Sequence, residues 1–453
     1  MNQLGVRWTA DQVLALAPDA ASRKAGSRLG SAGPWSDAGS DGAGTLWGLC
    51  KGSGSTPYRT AVDLAGAAVA SRCSCPSRKF PCKHALGLLL LWAADDPVVV
   101  REAEPSDWAA QWLLGRRERA GKQEAGAAQG DAPAAKAADP EAARRRAGRR
   151  AARIGAGAAE LEQRLADLLH GGLAAAERSG YGLWEETAAR MVDAQAPGLA
   201  ARVRELGSIP GSGPGWPVRL LEECALLHLL DGAWLGRDRL PAPLATTVRT
   251  RVGLPSSPEG PAVRDRWLVL AQHDQADSKV TTRRIWLYGQ ESGRTALVLS
   301  FGAAGRAPEI TLPTGLVLDA ELLPHGGAGQ LRATLGEQFG PPALPATPPA
   351  GGTTTQALQA YSRALCEDPW LESWPVTLSS AIPVPTGEGW QLADEDGASA
   401  LPLTRSAQGR SAPWKLASLS GGAPLSVFGE CGHRGFLPLA AWSAASPALV
   451  ALT

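Results

Sequence analysis

Residues 73–84 read Cys-Ser-Cys-Pro-Ser-Arg-Lys-Phe-Pro-Cys-Lys-His, which places three thiols, Cys73, Cys75 and Cys82, close to the imidazole of His84. Soft thiolates together with imidazole select zinc over hard cations. A disulfide is a poor alternative, because a C-x-C pair would close a very short and strained ring. Four protein ligands complete a tetrahedron and leave no position for a substrate, so the sequence predicts one structural Zn²⁺.

The residues on either side of this stretch predict the elements that carry the ligands. An apolar run, Ala85 to Trp92, indicates a buried helix that starts near Lys83, with Cys82 and His84 at its first turn. Residues 62–75 are typical of two short strands around Gly66, the second of which delivers the first two ligands. We therefore expect a β-β-α unit clamped by the metal, whose folding is coupled to zinc binding.

The C-x-C-x₆-C-x-H spacing resembles that of the SWIM-type zinc finger. The neighbouring stretches 46–58 and 76–90, and further on 189–199, are similar to the bacterial branch of SWIM finger proteins. This resemblance implies zinc binding and a role in contacting DNA or protein. It also implies frequent genomic company with MoxR-type AAA+ ATPases and von Willebrand A domain proteins.

The composition limits where a binding surface can lie. The chain has 453 residues, of which 44% are hydrophobic and 20% charged, and its formal net charge is +1. This length exceeds what one hydrophobic core usually organises, so two or three domains are expected. A net charge near zero gives no general attraction to polyanions, so any nucleic-acid surface must be local.

The sequence predicts a cytoplasmic location and no membrane insertion. The amino terminus lacks the apolar core and cleavage site of a secretory signal. The longest apolar run, Ala85 to Ala94, is far shorter than the roughly 20 residues that span a bilayer. Seven cysteines suit a reducing compartment better than a disulfide framework. The thiols outside the ligand set are expected to be reduced: Cys50, Cys224, Cys366 and Cys431.

Changes of composition along the chain predict an α+β multidomain protein. Residues 1–115 form the small zinc finger domain, and residues 116–155 are a basic linker rich in alanine and arginine. Leucines at helical spacing predict a helical middle domain over 156–235. Short β-like runs separated by turn residues predict a β-rich carboxyl-terminal region over 236–453.

A basic and aromatic group in the finger is a candidate surface for nucleic acid or a protein partner. Such a surface approaches phosphates and unstacked bases. In the alternative interpretation Phe80 packs against the Leu88 side of the helix and the cations are merely solvated. The candidate residues are Arg72, Arg78, Lys79, Phe80 and Lys83.

A second metal site and an enzyme active site find little support. Cys224 and His228 stand four residues apart on a predicted helix, and residues 431–433 repeat a C-x-H half, but neither half has a short-range second pair. No phosphate loop, dinucleotide fingerprint, H-E-x-x-H or nucleophile elbow occurs. Glycines around the acidic stretch 388–396 indicate an exposed turn. The carboxylates of this stretch that could be imagined as catalytic are Glu388, Asp394, Glu395 and Asp396.

These patterns favour a non-enzymatic adaptor for protein–protein interaction. The zinc unit is its recognition module, and an AAA+ ATPase is the partner that the resemblance implies. The alternative hypothesis is a nucleic-acid-binding protein that uses the finger and the basic linker.

Overall fold

The computed structural model of the chain describes residues 7–18, 20–42, 44–52, 54–64, 69–77, 79–100, 102–115, 140–276, 280–303, 308, 310–327, 329, 331–340, 342–343, 348–409, 411–443 and 446–452. Four parts follow one another: a finger domain, a helical bundle, a β-barrel and a six-stranded sheet with helices. This order confirms the predicted α+β class, with the finger first, helices in the middle and a β-rich last part.

The finger domain is built around one helix that is buried along most of its length. Its strands are β1 Trp35–Ser40, β2 Thr45–Cys50, β3 Tyr58–Asp63 and β4 Ala70–Cys73, and its helices are α1 Ala10–Ala15, α2 Ala20–Ser27, α3 Lys83–Ala93, α4 Pro97–Val100 and α5, described over 107–115. The strands form one antiparallel sheet in the order β1-β2-β3-β4. Helix α3 contacts β2 and β3 of this sheet as well as α1 and α2, so residues 84–92 are all buried.

The middle of the chain is a bundle of helices around one apolar core. The helices are α6 Pro140–His170, α7 Ala174–Asp193, α8 Pro197–Gly207, α9 Trp216–Leu235 and α10 Ala242–Arg251. The core includes Ile154, Leu161, Leu165, Trp184, Met191, Leu199, Val203, Leu220, Leu227 and Trp234. None of the helices in the described part of the chain has the length and hydropathy needed to cross a bilayer.

The bundle extends beyond the predicted helical domain at both ends. Helix α6 begins at Pro140, inside the stretch interpreted as linker, while residues 116–139 lie outside the described part of the chain. Alanine and arginine are strong helix formers, and the buried Ile154 attaches this basic stretch to the core. At the other end α10 continues to Arg251, because Val248 packs into the same core. The apolar residues of α10 are too sparse to predict a helix there from sequence.

The first part of the β-rich region is a closed barrel. Its strands are β5 Val263–Ala276, β6 Val280–Gly289, β7 Thr295–Ala303, β8 Val317–Pro324 and β9 Arg332–Gln338. They close in the order β5-β6-β7-β9-β8, with β7 and β9 parallel and the other neighbours antiparallel. Alternate residues such as Trp267, Val269, Ile285 and Leu287 fill the barrel interior.

The last part is an antiparallel sheet covered by helices. Its strands are β10 Ser373–Thr386, β11 Gly389–Asp394, β12 Ala400–Pro402, β13 Leu425–Gly432, β14 Gly435–Ser443 and β15 Ser446–Ala451, and its helices are α11 Thr354–Glu367, α12 Arg405–Gln408 and α13 Ala412–Ser420. The strand order is β12-β11-β10-β13-β14-β15. The predicted helix over 356–366 is α11, whose start is capped by Thr353 and Gln356 in a reciprocal capping box.

A buried carboxylate joins the barrel to this sheet. Glu430 accepts hydrogen bonds from the Trp286 indole at 2.9 Å and the Ser373 hydroxyl at 2.7 Å, and pairs with the guanidinium of Arg284 at 3.3 Å. Burial alone would raise the pKa of Glu430, but Arg284 and these donors lower it below its usual value. The pairing fixes the barrel to the sheet at this point.

Candidate metal centre

Strand β4, helix α3 and the chain between them bring the predicted zinc ligands together. Cys73 is the last residue of β4, and Cys75 follows two residues later in the turn that leaves the sheet. Cys82 occupies the N-cap of α3 with extended backbone, and His84 is the second residue of that helix. The predicted β-β-α arrangement is therefore present, with one pair of ligands from the strand end and the other from the helix start.

The donor atoms of the four residues are close enough together to share one Zn²⁺. One ligand atom from each lies within 4.8 Å of all the others. The Nδ1 atom of His84 is 3.6 Å from the Cys73 sulfur and 4.0 Å from the Cys82 sulfur. Zn–S and Zn–N bonds of about 2.3 and 2.0 Å give a tetrahedral S–N separation of about 3.5 Å. Cys73, Cys75, Cys82 and His84 therefore fit one structural Zn²⁺, with Nδ1 as the nitrogen ligand.

Hydrogen-bond donors surround the sulfurs. Backbone N–H groups of Cys75, Ser77 and Ala85 point at the sulfurs of Cys73, Cys75 and Cys82 respectively. The hydroxyl of Thr60 is 3.2 Å from the Cys73 sulfur, since the two residues are direct partners in the β3–β4 ladder. Donors of this kind stabilise thiolate charge and orient metal ligands.

The thiols do not share their protons equally. The Cys82 thiol donates to Cys73, and His84 and Thr60 add to this, so the pKa of Cys73 falls to about 3. For the same reason the pKa of Cys82 is raised, because its proton is held in that hydrogen bond and its sulfur is buried. Burial raises the pKa of Cys75. Zinc binding must therefore displace protons from Cys75 and Cys82, and metal affinity should rise with pH.

Two further residues beside the cluster were not identified from sequence. Tyr58 lies against the His84 ring, with ring centroids 4.8 Å apart. Cys50, its partner in the β2–β3 ladder, is fully buried, and burial together with the nearby thiols raises the pKa of Cys50 to about 11. Cys50 is therefore a neutral packing thiol. Only the pairing of distant strands brings both residues here, so no local sequence signal could have found them.

The predicted recognition residues are mostly on the surface. Arg72, Lys79 and Lys83 are exposed, whereas Arg78 lies outside the described residues. Phe80 is 46% exposed, so its ring is only partly covered, and the exposed cations fit both interpretations of this group. The structure thus presents an aromatic ring and several cations next to the metal ligands.

The residues considered for a second metal site, in the pairs Cys224 with His228 and Cys431 with His433, contact other groups instead of a common metal position. Cys224 is buried in the bundle core, which raises its pKa to about 11. His228 Nδ1 lies 2.6 Å from the Glu162 carboxylate, and His433 Nδ1 lies 3.3 Å from the Tyr361 hydroxyl. Within the described ranges, the finger cluster alone gathers three or more Cys, His, Asp or Glu ligands closely enough for a metal.

The carboxylates of the acidic stretch 388–396 make structural contacts. Asp394 accepts hydrogen bonds from the Thr354 backbone N–H at 2.9 Å and its hydroxyl at 2.7 Å, which anchors the start of α11. Asp396 accepts from the Ala398 N–H at 2.9 Å within a turn, and Glu388 and Glu395 are exposed. The interpretation of the whole stretch as an exposed turn is therefore wrong for residues 389–394, which form the paired strand β11, while Glu388, Glu395 and Asp396 lie in the turns on either side.

Two family models match the chain. The SWIM zinc finger matches residues 58–93, which span β3, β4, the four ligands and α3. The SWIM-associated four-helix bundle domain matches residues 149–252, from the middle of α6 to the end of α10. Neither a curated protein nor a solved structure matches the sequence. The chain therefore contains a SWIM zinc finger, whose C-x-C-x₆-C-x-H ligands are gathered as a zinc site, and a SWIM-associated four-helix bundle domain.

Proposed function

We propose that this zinc-binding protein is a non-enzymatic adaptor that joins protein partners, with the finger as recognition module and the other parts as scaffold. Four ligands close the coordination sphere, so the metal holds the finger in shape and is not a Lewis acid for a substrate. No disulfide joins any of the seven cysteines, three of which are the zinc ligands, and this supports a reducing cytoplasmic location.

The observation that carries this proposal is an exposed apolar side of helix α9. Val218 is 61% exposed, Leu221 47%, Leu229 46% and Leu235 48%. The opposite side of the same helix fills the bundle core with Leu220, Cys224, Leu227, Leu230 and Trp234. Clustered apolar exposure of this kind marks protein interaction sites more often than nucleic-acid sites. An adaptor needs at least two contact surfaces, and α9 and the finger supply them.

Native purification tests the adaptor proposal. Tagged protein is recovered from its own cells at moderate salt, with and without nuclease, and attached proteins are identified by mass spectrometry. We expect a protein partner that survives nuclease and is lost from Leu221→Glu, while Leu358→Glu, on the exposed side of α11, retains it. A solitary monomer, or a partner set unchanged by Leu221→Glu and by a zinc-site variant, would contradict the proposal.

The sequence resemblance names the first partner to look for in that experiment. A MoxR-type AAA+ ATPase, mixed with the purified protein, should co-elute in gel filtration. If the ATPase elutes alone while another protein is recovered from cells, the adaptor proposal stands with a different partner.

Nucleic-acid binding is the alternative function, and the first turns of α6 favour it. Exposed arginines at 144, 145, 146, 149 and 153 share this stretch with the acidic Glu141. A cationic helix of this kind can follow a phosphate backbone. Binding would weaken steeply with salt, by roughly one decade of affinity per decade of salt for each phosphate contact. A flat salt response would remove this alternative.

A further inference from the structure

A cleft of about 430 Å³ lies between helix α2 and the metal-binding loop. One wall is the small-residue side of α2, with Ala21 and Ala25. Pro76 belongs to the opposite wall, and the Tyr58 ring lies between them beside His84. The space has the size of a pocket for a few side chains, since ligand clefts measure about 300–1,000 Å³.

The charged side chains at the mouth of this cleft are both lysines, whereas the zinc ligands Cys75 and His84 line its inner end. Lys79 and Lys83 line it and are exposed, so their ammonium groups stand on its solvent side. Its lining residues all belong to the described part of the chain, and none of them is acidic. Zn²⁺ with three thiolates carries a formal charge of about −1 at the inner end. An anionic ligand would therefore meet the lysines at the mouth and present an apolar group to the interior.

We propose that this cleft binds a short acidic peptide segment of a protein partner, in which an apolar side chain stands next to aspartate or glutamate. The proposal rests on the adaptor function and locates its contact in the finger. Each exposed ion pair raises binding affinity by a factor of about five or less, so two lysines alone give weak binding. The apolar walls at Ala21, Ala25 and Tyr58 supply the rest of the affinity.

Nucleic acid fits this cleft less well. Sequence-tolerant binding of single strands uses a cationic groove with aromatic platforms on which bases stack. The one aromatic residue that lines this cleft is Tyr58, whose ring is already packed against His84. Phe80 is exposed but does not line the cleft. The peptide is therefore the occupant that size, charge and lining favour.

Peptide selection on the full-length zinc-loaded protein tests the proposal. A phage-displayed library of random dodecapeptides is the probe, and fluorescence anisotropy gives the Kd of the selected peptides. We expect enrichment in Asp and Glu beside apolar residues, and a Kd weakened at least about tenfold by Lys79→Glu with Lys83→Glu. The matched charge reversal Lys51→Glu, on an exposed residue outside the cleft, should leave Kd unchanged.

Two controls guard against a folding defect. Zinc content shows whether the finger of each variant is folded. The neutral pair Lys79→Gln with Lys83→Gln should retain zinc and lower the affinity for the peptide by a smaller factor than the charge-reversed pair. Selected peptides without acidic excess, or equal binding to both lysine variants, would overturn the proposal. So would an oligo(dT) probe that competes for the cleft while acidic peptides do not. If cells yield the same nuclease-resistant partner with wild-type protein and with the Lys79→Glu, Lys83→Glu variant, the partner does not bind in this cleft. The adaptor function then stands. If wild-type protein yields none, the adaptor function itself fails.

Discussion

The finger and the helical bundle bury polar groups in two different ways. In the finger, three thiols and His84 face one another at distances that suit a metal, and N–H and O–H donors surround the sulfurs. In the bundle, the carboxyl group of Asp231 is buried next to the carboxyl group of Glu162. The finger thus depends on an added ion, whereas the bundle depends on apolar packing and tolerates a buried acid within it.

The largest effect should come from removing one metal ligand. We expect Cys82→Ala to lose its zinc, because a closed site with three ligands binds weakly and structural zinc supplies about 10–16 kcal/mol in small fingers. Metal analysis and hydrogen exchange should report lost zinc and fast exchange over 58–93, with 149–252 unaffected. The control Cys366→Ala removes an exposed thiol and should keep both properties. One zinc per chain in Cys82→Ala would refute the ligand assignment.

A core truncation in the bundle should give the reverse pattern. Trp234 is fully buried among the apolar residues of the bundle. Replacing it by Ala should cost about 3–5 kcal/mol of unfolding free energy. Denaturant unfolding measures the loss, and zinc stoichiometry should not change. If zinc is also lost, the two regions do not fold independently and the contrast between them fails.

The buried acid should make bundle stability depend on pH. Burial raises the pKa of Asp231 to about 8, and the neighbouring Glu162, itself in contact with His228, adds to the shift. The native state therefore keeps a proton that the unfolded chain releases near pH 4, so stability is greatest below about pH 4 and falls as the pH rises towards 8. Asp231→Asn should remove this component, on the order of 3 kcal/mol between pH 5 and 7.5.

Urea unfolding of the wild type and of Asp231→Asn at a series of pH values measures this component. The exposed Glu222→Gln on the same helix is the control and should keep the wild-type profile. Parallel profiles for the wild type and the Asn variant would mean that Asp231 is ionised in the folded protein.

The smallest effect concerns the support of the metal site. Thr60→Val keeps the shape of a fully buried side chain but removes the hydroxyl beside Cys73, so zinc affinity should fall about tenfold. Thr45→Val is a matched control on the same sheet, since the Thr45 hydroxyl has no hydrogen-bond partner among the described residues. Competition with a chelator measures both. Equal affinity for the two variants would show that the Thr60 hydroxyl does not support the site.

Most of the metal centre could be predicted from residues 73–84 alone. Ligand type and spacing identify zinc, and the apolar run after His84 predicts the helix that carries two of the ligands. These are local properties, because neighbouring residues are held together by the chain itself. The match to the SWIM zinc finger, over 58–93, includes the same residues.

The supporting contacts could not be predicted in this way. Thr60 and Tyr58 reach the site only because β3 pairs with β4 and β2. The barrel closes where β5 pairs with β8 and where β7 pairs in parallel with β9, and in neither pair are the two strands consecutive in sequence. Asp231 meets Glu162 only after α6 and α9 have packed together.

The sequence by itself therefore determined the metal, its four ligands, the buried helix and the order of helical and β-rich parts. Tertiary structure decided which donors stabilise Cys73, where the arginine-rich stretch becomes helix α6, how the strands divide into barrel and sheet, and that a cleft opens beside α2. The physical reason is the distance along the chain over which each interaction acts. Ligand chemistry and helix propensity act over a few residues, whereas strand pairing and core packing depend on the shapes of distant segments, which no short pattern encodes.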